Sequence, residues 1–218
     1  MNTKKLWRDS MRPRIEQAQV ILREVGLPSL AERSGGDLLD GAIELALFTT
    51  PLRITSPDFS VRRTDGEACP EEIQILLLDY LLRSIDHPAP RSAATRWIGF
   101  QELPDGAFYA KAFRSYSSDL LTRELDGGLA AFRVAAAGFG GEPIEFGDAS
   151  FAFRGLPAVR LAVVWQEGDD EFPANANILF DSMSKHALPI DGFAALGGLL
   201  CRGLLAVASN EDESERAR

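Results

Sequence analysis

The chain is short of the residues that most often betray a reaction. Of its 218 residues, two are cysteine and two are histidine. Cys69 and Cys201 stand far apart and form no CxxC pair, too few thiolates for a cysteine-only zinc or iron–sulfur site within one chain. No cofactor is expected. His87 and His186 allow at most a mixed histidine–carboxylate site, which nothing in the sequence requires, so no metal is expected either. No GxSxG elbow for a nucleophilic serine exists. The N-terminus has no apolar signal core, and no run of about eighteen apolar residues stands out as a bilayer span. The chain is therefore read as cytoplasmic, with free thiols.

Positive charge is also in deficit. Lys and Arg number 23 against 32 Asp and Glu, a net charge of −9. A nucleic-acid binder needs a basic face to neutralise phosphates, so that partner class is set aside. The first 34 residues run against the trend, with seven basic side chains against four acidic, leaving −12 for the rest. The solvated face of an amphipathic helix accounts for this better than an anionic partner does.

What is present is an ordinary globular composition, 45% hydrophobic and 25% charged, enough for a sizeable core. Met11, Ile15, Ala18, Leu22 and Val25 recur at helical spacing behind Ser10 as a cap, with Pro13 in the first turn and Gly26 as the stop. A short helix follows over 28–33. From Gly41 the period becomes two, with strands at 43–47, 52–55 and 59–62 around Ser56–Pro57–Asp58. The run 73–85 is apolar on nearly every side and predicts a buried central helix. Further strands are expected at 96–102, 151–153, 159–165 and 177–180, and helices at 118–125, 129–137 and 190–208. The interspersed elements lack a βαβ rhythm, so the expected fold is α+β with a mainly antiparallel sheet on the central helix. Residues 1–34 are expected as a helical extension, 35–208 as one domain and 209–218 as a disordered charged tail.

Expensive residues crowd onto one hairpin. The segment 159–181 runs an apolar strand into Trp165, breaks on Glu167, Asp169, Asp170 and Glu171, and returns to Asp181. Those carboxylates could gather around a hard cation, but a hairpin tip with hydrated acids needs no ligand. Asp181, Ser182 and His186 have the residue types of a hydrolase triad, yet Asp181–Ser182 reads better as a structural cap. The aromatic stretch from Trp97 to Tyr116 suits stacking on a flat ligand, and suits a strand pair facing the core rather better. Gly138–Phe139–Gly140–Gly141 follows a helix, so it reads as a helix stop and not a phosphate cradle.

The segments ILLLDYLL (75–82), WIGFQELPDGAFYAKAF (97–113), the run 156–181 and SMSKHALPIDGFAALG (182–197) resemble a prokaryotic family known as domain of unknown function 3786. The resemblance implies an anaerobe-type redox, one-carbon or cofactor setting. Some members carry an iron–sulfur cysteine motif ahead of this domain, a motif absent here. The expectation is a non-enzymatic binding or accessory module for a small molecule or a partner protein. Its ligand site is expected near Trp97, Glu102, Trp165, Glu167, Asp169, Asp181 and His186, where apolar area and charge meet at strand ends. The alternative is a metal-assisted hydrolase using Glu167, Asp169 and Asp170 with Asp181 and His186.

Overall fold

A computed structural model describes residues 3–90, 96–125 and 128–216, with side chains from 12 to 210 within these. The fold is α+β, and the chain groups into two compact units. The first comprises residues 1–92 with the short segments Leu156–Ala158 and His186–Gly192; the second comprises 93–155, 159–185 and 193–218.

In the first unit α1 (Thr3–Val25) and α2 (Leu27–Ser34) pack against α3 (Glu71–Asp86) beside an antiparallel sheet. That sheet has the order β1 (Asp37–Leu39), β2 (Ala42–Leu47), β3 (Thr50–Thr55) and β4 (Ser60–Arg63). Asp40 and Gly41 both take positive φ between Leu39 and Ala42, the two-residue turn that matches strand twist. Burial follows the period of two, with Ile43, Leu45, Leu52 and Ile54 inside. α3 buries Leu76, Leu77, Leu78 and Leu81 nearly completely, as its leucine run predicts. The N-terminal helices supply core as well, since Ala18, Leu22 and Leu30 are buried.

α1 begins at Thr3, ahead of the expected Ser10 cap, so Pro13 lies inside the helix. Lys, Leu and Arg before Ser10 are good helix formers and carry the helix back past it. The side chains of Lys4, Lys5, Arg8, Ser10 and Met11 lie outside the described residues.

The second unit is built on a sheet of order β5 (Trp97–Gly99), β9 (Asn175–Asp181), β8 (Val159–Gln166), β7 (Ala149–Leu156) and β6 (Glu142–Pro143). On one face Val163, Trp165, Ile178 and Phe180 meet α4 (Gly106–Tyr116), α6 (Gly128–Gly138) and α7 (Ile190–Arg216). Phe180 touches Phe113 of α4 and Phe193 of α7, while Trp165 stacks on Phe132 of α6 at 5.2 Å. α5 (Ser118–Glu124) packs along β9.

Two expectations change here. The aromatic stretch forms no strand pair: β5 is three residues long, a 3-10 turn follows at Phe100–Glu102, and Gly106–Tyr116 is helical. Tyr109, Phe113 and Tyr116 recur every three or four residues, and that period overrides the strand preference of aromatic side chains. α7 runs on past Ala208 to Arg216, and its stretch Ile190–Asn210 is long and apolar enough to cross a membrane by length and composition alone. It buries Phe193, Leu196, Leu200 and Leu204, as the core helix of a globular unit does. The side chains beyond Asn210, in the expected charged tail, lie outside the described residues.

Candidate functional site

The acidic turn is held by its own backbone. The Asp169 carboxylate accepts from the amides of Glu171 at 2.9 Å and Phe172 at 2.7 Å, and Asp169 N donates to Phe172 O. Those amide bonds, Glu171 first, hold its carboxyl below the usual value. Glu167 N donates to the Asp148 carboxylate at 2.8 Å, and the side chains of Glu167, Asp170 and Glu171 are exposed. Trp165 is 1% exposed, packed on the inner face of the sheet, and its indole Nε1 finds no acceptor among the described residues. Its ring serves the core.

Asp181 and Trp97 stand opposite each other in the β5–β9 register. Asp181 is 3% exposed and accepts from Met183 N at 2.9 Å, capping the 3-10 turn Ser182–Ser184. The Arg160 guanidinium lies 5.7 Å from the centre of the Trp97 ring. Glu102 accepts from Gly99 N at 2.8 Å and lies 3.8 Å from Arg96. His186 belongs to the first unit, where its ring stacks on His87 at 4.9 Å.

The seven expected residues thus fall in separate places. Trp97, Glu102 and Asp181 share one end of the second sheet. On β8 Trp165 is five residues from Arg160, roughly 17 Å at the rise of an extended strand, with Glu167 and Asp169 further on. Among the described residues no three His, Cys, Asp or Glu side chains group as metal ligands.

What the structure does bring together is a cavity of about 160 Å³ beside the edge of β9. Pairing of β5 with β9 ends at Gly99 and Leu179, so Asn177 and Ile178 have no partner strand on that side among the described residues. The 3-10 turn, α4 and the start of α5 close around that edge. Phe100 and Phe113, stacked at 4.1 Å, form the apolar wall. Gln101, Arg114, Ser118 and Asn177 supply the polar lining. The Ser118 hydroxyl, the exposed Gln101 amide and the half-buried Asn177 amide make no hydrogen bond to a described residue and are open to the cavity. Arg114 is steadied by Asp119, which accepts from Nε and Nη2 at 3.4 and 3.1 Å and leaves Nη1 unengaged among the described residues.

Sequence reasoning misses this site because four separated segments build it. Its signal is faint: single polar residues within apolar runs, such as Asn177 within NANILF. It also misses Asp79, read within a leucine helix yet buried against Arg14 at 2.6 Å. Burial pushes the Asp79 carboxyl up, against the pull of Arg14.

Neither the curated proteins nor the solved structures give a match to the chain. A family model matches residues 27–203, a span taking in α2 through most of α7. The chain accordingly belongs to the family described as Domain of unknown function (DUF3786).

Proposed function

We propose that the chain is a binding module for a small polar molecule held in the cavity at the β9 edge. In this reading it acts as an accessory protein and not an enzyme, within the prokaryotic redox, one-carbon or cofactor setting that its family resemblance implies. One observation carries the reading. Ser118, Gln101 and Asn177 line a single cavity beside Arg114, and none of the three spends its side-chain polar atoms on a described residue, so all face a ligand or solvent. Uncommitted polar groups gathered beside an apolar wall are the usual lining of a small-ligand site.

The hydrolase reading draws no support from the acidic turn, whose Asp169 carboxylate is engaged with loop amides while its neighbours face solvent. Ligand-observed NMR with a panel of small polar molecules tests the binding reading. Wild-type protein should broaden a subset of the panel and Asn177→Leu should not. A panel that ignores both proteins, or broadens equally with both, contradicts it.

A further inference from the structure

We infer that the ligand of this cavity is a small carboxylate bearing one further hydrogen-bonding substituent, such as a hydroxy acid. This rests on the binding reading above and names the class of molecule. Three features of the lining lead to it.

The first is charge. Arg114 is the only ionisable side chain among the residues lining the cavity. Asp119 holds its guanidinium by Nε and Nη2, and Nη1 is left for another acceptor. A fork already braced along one edge suits a carboxylate oxygen at the other, since charge-assisted bonds of this kind are the strong ones.

The second is the neutral set. The Gln101 and Asn177 amides each carry both donor and acceptor atoms, and the Ser118 hydroxyl can donate or accept. A molecule with only acceptors would leave the amide carbonyls unpaired. A hydroxyl or amine beside the carboxylate pairs with them.

The third is size. A volume of about 160 Å³ holds about five waters at roughly 30 Å³ each. A ligand of about that many heavy atoms fits, with its carbons against Phe100 and Phe113.

Glycolate is the probe, with glycolamide as its uncharged counterpart, in calorimetric titrations of wild type, Arg114→Gln and Arg123→Gln. Arg123 pairs with Glu124 and does not line the cavity, so it controls for loss of a surface charge. Glycolate should bind wild type and Arg123→Gln alike. Arg114→Gln should weaken it tenfold or more, and glycolamide should bind at least tenfold more weakly than glycolate to wild type. A thermal scan establishes that Arg114→Gln is folded before its affinity is read. Glycolamide binding as tightly as glycolate, or Arg114→Gln retaining full affinity, would overturn the carboxylate class while leaving the cavity as a binding site. If neither probe binds wild type, the carboxylate inference falls, and the panel with Asn177→Leu decides the binding reading separately.

Discussion

Asp79 illustrates what one residue demands of its surroundings. It sits on the buried side of α3 with its side chain 11% exposed, and Arg14, 39% exposed, reaches it from α1. Burial outweighs that pull and raises its carboxyl above the ordinary 3.8. Between that value and the raised one, the folded protein holds a proton that the unfolded chain releases. Stability from this group is therefore greatest below 3.8 and falls as pH rises through the raised pKa. Removing Arg14 leaves the carboxylate buried without its cation. Arg14→Gln should cost about 2 kcal/mol at neutral pH, a value discounted for the exposure of the arginine. The penalty should shrink at acidic pH as Asp79, its carboxyl already raised by burial, takes up its proton. Urea unfolding at both pH values checks this, and an equal penalty at both would show that the pair does not carry the effect.

At the scale of elements, the cavity depends on how closely α7 and the 3-10 turn approach their neighbours. A Cβ added at Gly197 would stand 2.7 Å from the ring of Phe113, which is buried and stacked on Phe100. At Gly99 an added Cβ would meet the Gln101 amide at 2.7 Å, the far end of a flexible side chain. Gly197→Ala should therefore cost about 1–3 kcal/mol by overpacking. Gly99→Ala should stay within about 1 kcal/mol while displacing Gln101 from the cavity. Denaturant midpoints of the two variants test this; the reverse order would mean that the α4–α7 contact is looser than described.

The same elements explain what was legible in the sequence. The leucine run of α3 and the alternation of β2 are periodic and local, so they could be read directly. The helix α4 was obscured by Phe108, Tyr109 and Phe113, residues that favour strands until their spacing is weighed. The cavity was unreadable because Gln101 and Asn177 become neighbours only through the β5–β9 register. Trp165 and Asp169 looked costly in sequence, yet one packs on Phe132 and the other caps its own loop.

For the whole molecule, neither compact unit is a continuous stretch of chain; the first includes Leu156–Ala158 and His186–Gly192. Tyr80 of α3 reaches one of those segments, accepting from Ala158 N at 2.9 Å while donating to Ser34 O at 2.5 Å. A chain threaded this way should unfold in one transition by calorimetry. Leu78→Asp, at a residue 1% exposed, should remove several kcal/mol from that transition. A fully folded Leu78→Asp protein of wild-type stability would contradict the central place of α3. The claim that matters most for function is the location of the ligand, and an amide-resolved NMR titration with glycolate tests it most directly. Shifts should concentrate at Gly99–Gln101, Arg114, Ser118 and Asn177–Leu179. Shifts centred on Glu167–Glu171 or on His186, with the β9 edge undisturbed, would contradict it.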